Sequence, residues 1–470
     1  MAHDELEQDQ LNTDRSDSLP PGWTEVQLKD LAILRLGKML DAAKQASGRQ
    51  LPYLRNISVR WFEFDTDNLQ TMAFEPREEA EFELRPGDLL VCEGGEPGRC
   101  AIWTKGDSNI KFQKAIHRVR LPSAIDPKWV MYDLRRASLD GSLEEYFTGS
   151  TIKHLTGVGL ARYRLRLPPL AEQRRIVAKV EAALAQVNAA RQRLAKVPTL
   201  LRRFRQSILA DVLRGEECSL GEVLLDLKYG TSKKCEQEKR GVPVLRIPNV
   251  SQGMVDQTDL KYAELDDKER KATELLPGDL LMIRSNGSVT LLGRAALVTE
   301  RERGFSYAGY LMRLRLDLKK VDPKYAYLAL SGHSCRDQIE MPARSTSGVN
   351  NINSDEVRNL RLPLPSLAEQ REIVRRVEAL FALADKIEAR VAAATARADK
   401  LIQATLAKAF RGELVPTEAE LAELEGREFE TAQALLDRIR DERNRVAPSP
   451  GRNGSRRSAS VPRKAELRIK

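Results

Sequence analysis

The stretch L-P-S-L-A-E-Q-R-E-I-V at residues 364–374 has a near copy, L-P-P-L-A-E-Q-R-R-I-V, at residues 167–177. The two start 197 residues apart, and each opens a long apolar-periodic pattern that closes on Arg-Gly-Glu, at Arg214-Gly215-Glu216 and Arg411-Gly412-Glu413. Equal spacing at both ends marks a duplicated architecture. Pro168, Pro169, Pro363 and Pro365 end the preceding strands, and a proline in a first helical turn costs no hydrogen bond. Ser366 and Glu369 have capping-box spacing, a device that Pro169 removes from the first copy. Apolar residues then recur at three and four, from Val177, Val180 and Leu184 through Phe204 and Ile208, and from Val374, Val377 and Phe381 through Leu401 and Ala409. Gly215 and Gly412 suit the left-handed residue that ends a helix. The pattern predicts long helices over 168–215 and 365–413. Neither stripe can be buried by its own helix, so the simplest partner for each is the other. An antiparallel pair about 44 residues long would reach about 66 Å at 1.5 Å per residue. Pro198 predicts a kink or a brief interruption in the first helix.

Outward from these helices, each follows its own globular segment, 21–167 and 216–364. The segments align piecewise. L-P-Y-L-R-N-I at 51–57 matches V-P-V-L-R-I-P at 242–248, and L-R-P-G-D-L-L-V at 84–91 matches L-L-P-G-D-L-L-M at 275–282. G-R-C-A-I at 98–102 matches G-R-A-A-L at 293–297, and D-P-K-W-V-M-Y-D-L at 126–134 matches D-P-K-Y-A-Y-L-A-L at 322–330. The offset drifts only from 191 to 196, so the scaffold is shared while the loops differ. Short strands mixed with short helices make each half α+β.

The body of the chain is basic. Residues 1–20 carry a net −5 and read as a disordered acidic N-terminus, residues 446–470 carry +6 and read as a disordered basic tail, and the remainder carries +8. A basic body points to a polyanionic partner. Residues 414–445 form a charged helical segment, a third packed element or an arm against a partner. Five cysteines without C-x-x-C spacing argue against a disulfide framework. No apolar run approaches a membrane span, and the acidic start is no signal peptide, so a cytoplasmic location is expected.

Catalytic signatures are missing: there is no G-x-x-x-x-G-K-[ST] phosphate loop and no G-x-G-x-x-G after a strand. Cys92 and Cys100 lack a nearby histidine and read as buried thiols rather than metal ligands. Pro-Gly-Asp at 86–88 and 277–279 faintly resembles a nuclease carboxylate motif, but no E-x-K follows, and a tight turn before an apolar strand explains it better. What remains is binding chemistry. Tyr229-Gly230-Thr231-Ser232-Lys233-Lys234 joins a glycine to hydroxyls and ammonium groups, the donors that phosphates and base edges accept. Arg284-Ser285-Asn286 follows an apolar strand, and Arg and Asn can contact guanine and adenine bidentately in the major groove. Arg344, Thr346 and Ser347 make a third loop. In the first half the comparable candidates are Lys38, Arg55, Glu93-Gly94 and the Ser150-Thr151-Ile152-Lys153 loop.

L-P-x-L-A-E-Q-x-x-I-V, preceded by Asn351-Ile352-Asn353 and followed by a long helix ending in R-G-E-L-V-P, resembles the specificity subunits of type I restriction–modification systems. Y-G-T-S-K-K, V-L-R-I-P-N-V and S-T-S-G-V-N-N-I-N are similar to that family's target-recognition domains, and the likeness spans about residues 21–425. The first half departs from it, with Ile152-Lys153-His154 and Leu155-Thr156 where the second has Val349-Asn350-Asn351 and Ile352-Asn353. The resemblance implies two target-recognition domains separated by two antiparallel helices and reading an asymmetric bipartite site in double-stranded DNA. It implies a non-catalytic chain without its own cofactor or metal. Two modification subunits would carry S-adenosylmethionine and methylate adenine N6, and restriction subunits would use ATP and Mg. Arg174, Arg175 and Arg371 on the helices are candidates for docking modification subunits. The alternative is a coiled-coil scaffold with two interaction domains and no DNA role.

Overall fold

A computed structural model describes residues 18–39, 48–106, 109–251, 253–343 and 350–446. The chain divides into two units, one of residues 1–190 with 396–470 and one of residues 191–395. The acidic N-terminus up to residue 17 and the basic tail from residue 447 lie outside the described residues.

Each unit is built on the same sheets. In the first, a four-stranded antiparallel sheet runs Ile33–Leu36, Ile116–Arg120, Leu89–Cys92, Cys100–Ile102. In the second, the order is Leu224–Tyr229, Leu311–Leu316, Leu280–Ile283, Ala295–Leu297. Beside each lies a three-stranded sheet with one antiparallel and one parallel pairing. Its strands are Gln70–Phe74, Arg49–Leu54 and Lys111–Phe112 in the first unit and Lys261–Ala263, Val242–Leu245 and Ser306–Tyr307 in the second. Mixed helices and sheets make the fold α+β, with a long antiparallel helix pair.

The Pro-Gly-Asp turns are structural pins. Gly87 and Gly278 sit at φ 94° and 90°, where a side chain would be strained. The following Asp88 and Asp279 are buried and take a two-pronged bond from Arg120 (2.7 and 2.7 Å) and Arg315 (2.9 and 2.7 Å) on the neighbouring strand. Two neighbours, Arg118 and Arg313, are buried with their guanidinium groups bonded to the backbone carbonyls of Glu81 and Glu83, and of Ala272 and Glu274. The cation in each case replaces backbone partners that the short helices leave open.

The Asp-Pro-Lys stretches start the helices Pro127–Asp140 and Pro323–Ser331. Each aspartate accepts the lysine N–H at 2.9 Å, and each proline occupies the first turn. The long helices, Leu170–Val212 and Leu367–Phe410, begin at the A-E-Q copies. Their glutamines are wholly buried. Gln370 accepts the Asp322 N–H at 2.8 Å and donates to the Pro365 and Lys320 carbonyls at 2.8 and 3.1 Å. Gln173 accepts the Asp126 N–H at 3.1 Å and donates to the Pro168 carbonyl at 2.9 Å. One buried amide thus ties the long helix, the strand before it and the Asp-Pro-Lys helix together. About two turns further along the long helices, Lys128 pairs with Glu181 and Lys324 with Glu378.

The stripes do more than meet each other. Ile176, Val177, Val180 and Leu184 enter one core with Trp23, Trp129, Leu406, Ala409 and Phe410. In the second unit Ile208, Leu209, Val374 and Val377 join the core under the four-stranded sheet. There the two helices also touch directly, since Arg205 reaches Asp385 at 2.6 Å and Glu388 at 2.9 Å. Two expected stripe positions turn outward instead: Phe204 and Leu401 are exposed. Helix assignment is continuous through Pro198, so the expected interruption does not occur.

The segment after residue 413 packs into the first unit and is no free arm. Helix Glu418–Glu425 is followed by helix Ala432–Val446, which brings Ala432, Leu435, Leu436 and Ile439 into that unit's core, and Arg443 bonds to the carbonyls of Asp30 and Leu31. Glu172, wholly buried, accepts the Trp23 indole N–H at 2.8 Å and the Glu418 N–H at 2.9 Å. The matching Glu369 is exposed and caps its own helix through Ser366.

Gln370→Ala would take the amide partner from one N–H and two carbonyls in a part-buried site, so about 2 kcal/mol of stability should be lost. Urea unfolding of the variant measures it, and a loss below about 1 kcal/mol would show that the amide is not a clamp.

Candidate nucleic-acid interface

In the second unit two of the sequence-predicted loops, those of Tyr229 and Arg284, meet where the strand Leu280–Ile283 ends. The Arg284 guanidinium lies over the Tyr229 ring, 4.4 Å from its centroid. Tyr229 is fixed from the other side, its hydroxyl taking bonds from the Ser354 N–H at 3.2 Å and hydroxyl at 2.6 Å. Ser285 and Asn286 pair in a short ladder with Asn351 and Asn350. Asn286 Oδ1 accepts the Ser288 N–H at 2.8 Å. Tyr310, 64% exposed, accepts the Arg284 N–H at its carbonyl. The result is a polar face of Arg, Asn and Tyr side chains on paired backbone, suited to base edges and phosphates.

The Tyr-Gly-Thr-Ser-Lys-Lys loop splits in role. A Cβ on Gly230 would come within 2.2 Å of the Tyr307 carbonyl, so only glycine fits there. Thr231 is buried and bridges to Ala308. Ser232 is exposed, Lys233 pairs with Glu269 at 2.6 Å, and Lys234 is 88% exposed. Arg344, Thr346 and Ser347 lie outside the described residues.

In the first unit the same scaffold carries other side chains. Gly37 meets the Gln113 carbonyl as Gly230 meets that of Tyr307. Lys38, the next residue, turns inward: its ammonium group bonds to the Ala73 carbonyl at 2.7 Å and to Glu78, above the Phe74 ring. It is a structural lysine, placed like the buried Thr231. Arg55 caps a short turn and its guanidinium has no partner among the described residues. Ser150, Thr151 and Lys153 stand on an exposed hairpin closed by Thr148 and His154, with Gly149 at φ 91° and Lys153 paired to Glu144.

Two pairs of backbone bonds fix the equivalence. Glu93 N–H donates to Ala115 and its carbonyl accepts from Leu155, as Arg284 N–H donates to Tyr310 and its carbonyl accepts from Ile352. Leu155-Thr156 therefore stands where Ile352-Asn353 stands, and Thr156 and Asn353 each cap the next short helix. Tyr310 and Ser354 were missed by sequence reasoning. The offset of the repeat marks Tyr310 only as the counterpart of an unremarkable Ala115.

Cys92 and Cys100 are buried and unpaired, and burial pushes the Cys92 thiol up to about 11. Among the described residues no cluster of His, Cys, Asp or Glu has a metal-binding arrangement, and no helix is long and apolar enough to cross a membrane. Burial holds the His117 imidazole below its ordinary 6.5, against the pull of Glu93 and a 3.1 Å bond to the Leu155 carbonyl. The unfolded chain then binds a proton that the folded chain refuses. Stability present above 6.5 is lost as pH falls through 6.5 toward the folded value. His117→Met, which copies Met312 at the same place in the second unit, should reduce the drop in melting temperature between about pH 7.5 and about pH 5. Equal drops in both proteins would clear His117 of the effect.

The fold and this polar face define a duplicated DNA-recognition subunit. Residues 216–394 match the type I restriction modification DNA specificity domain. The chain is 30% identical to the EcoDI type I restriction enzyme specificity subunit of Escherichia coli, across 94% of this chain and 99% of that one. To the EcoKI specificity subunit of E. coli K12 it is 29% identical over the same shares. A chain from a structure describing complex assembly and conformational transition of the type I R-M system shares the fold, with a TM-score of 0.68 and 21% identity over 84% of this chain and 99% of that chain. The chain belongs to the specificity subunits of type I restriction enzymes, which give such systems their DNA sequence recognition.

Proposed function

We propose that the two units are target-recognition domains, each reading one half of an asymmetric bipartite site in double-stranded DNA. The observation that carries this is a common strand end that presents Glu93 and His154 in one repeat and Arg284 and Asn351 in the other. A shared scaffold with exchanged polar side chains is what reading two different half-sites requires. The chain itself is non-catalytic and carries no cofactor. Two modification subunits bring S-adenosylmethionine and methylate adenine N6, restriction subunits bring ATP and Mg, and the complex works in the cytoplasm. Exchanging residues 216–364 for those of another specificity subunit should change one half-site and leave the other. Methylation of a randomised duplex library reads this out, and a change in both halves would end the modular reading.

The repeat also bears on partner docking. Arg175 is used internally, on Glu418 and the Pro416 carbonyl. Arg174 and Arg371, at matching places on the two helices, are exposed and unpaired among the described residues. They are the docking contacts for one modification subunit each. Arg174→Glu and Arg371→Glu should each lower the co-purified ratio from two modification subunits per chain to one. An unchanged ratio in both would place the docking face elsewhere.

A further inference from the structure

The repeats set opposite charges on one scaffold position, and that contrast carries information about the target. The equivalence of Glu93 and Arg284 rests on the two shared backbone bonds, independent of any sequence alignment. Arg284 is held ready: its guanidinium lies over the Tyr229 ring, touches the Gly309 carbonyl only at 3.4 Å, and has a buried Nε without a partner. Among the described residues no carboxylate pairs with it. Glu93 is half-buried, and its carboxylate accepts no hydrogen bond from any described residue. The nearby His117 is kept neutral by burial at ordinary pH and supplies no counter-charge. Gly94 and Gly95 follow Glu93 in the chain, beside the His154 ring and the Asn56 amide. At Gly94 a Cβ would press on the His154 ring at 3.1 Å.

A free carboxylate in a protein face that meets phosphates is repelled unless a donor answers it. In the major groove the cytosine N4 amino group is such a donor, and the guanine O6/N7 edge is the matching acceptor for a guanidinium fork. We propose that this position reads base identity, Glu93 taking a cytosine in the first unit's half-site and Arg284 a guanine in the second's. Each unit then sees the opposite member of a C·G pair in its own frame, and the two half-sites differ at that step. The inference rests on reading the units as DNA-recognition domains.

The test uses the complete complex of this chain with its modification subunits, methylating a randomised duplex library. A wild-type complex without any two-part preference would defeat the domain reading itself. Given a two-part preference, Glu93→Gln should lower discrimination for cytosine at one position of one half-site by roughly five- to hundredfold. Arg284→Lys keeps the charge but loses the fork, and should lower discrimination for guanine at one position of the other half-site by a similar factor. Methylation that falls equally on all sequences, with preferences intact, would make these residues structural and overturn the proposal. So would relaxation at an unrelated base. The two variants are read separately, so failure of one complex to assemble leaves the other decisive.

Discussion

A single buried amide in each unit sets where everything else can be. Gln173 and Gln370 are themselves wholly buried, and both ends of their side chains are committed to backbone groups. The constraint is geometric as well as energetic. An amide that must accept from one helix start and donate to the strand before another leaves little freedom in the angle between them. Neither alanine nor an acid could meet the same pattern of one acceptor and one donor. The Asp-Pro-Lys helix, thus located, carries Trp129 or Tyr325 into the core, where each bonds to the carbonyl of the strand before the long helix, Arg166 and Pro363.

From that frame the Arg–Asp pins on the sheet follow. Asp88 and Asp279 would be costly to bury alone, and each is matched by a forked guanidinium and by a turn N–H, from Arg85 and Leu276. The pins hold the strands Leu89–Cys92 and Leu280–Ile283 in register with their neighbours. The next residue after each of these strands is the one that differs in charge. A rigid strand end with a free side chain is the arrangement in which a substitution changes chemistry without moving the backbone.

The long helices were legible because periodicity, prolines and closing glycines all pointed one way, and the repeat because its offset drifts so little. The roles of individual polar residues were not. Lys38 reads like an exposed phosphate contact, yet its stem crosses Phe74 and its charge is spent on Ala73 and Glu78. Thr231 reads like a loop hydroxyl, yet it lies under the parallel bridge to Ala308. Burial of such residues is decided by strands distant in sequence, which local composition does not encode. The Gln of A-E-Q was visible only as part of a motif, since the N–H groups it accepts from lie 47 and 48 residues away. Phe204 and Leu401 followed the apolar period but are exposed.

The two copies also show how a duplication diverges without losing its frame. In the second, Glu369 does the common work of an exposed helix cap. In the first, Pro169 removes the capping serine, and Glu172 is free to be buried against Trp23 and the Glu418 N–H. Burial raises the affinity of that carboxyl for a proton, and two hydrogen bonds to the charged form together with nearby Arg175 oppose the rise. The bond to Glu418 joins the first helix to the start of the helix Glu418–Glu425, and Arg175 pairs with the Glu418 side chain itself. The adjacent Ala432–Val446 helix then covers the core around Trp23 and Trp129. Loss of a serine in one turn therefore does not weaken the first helix start. It converts an exposed cap into the anchor for a segment that the second unit does not possess, and makes two ends of one repeat chemically distinct while the glutamine beside them stays the same.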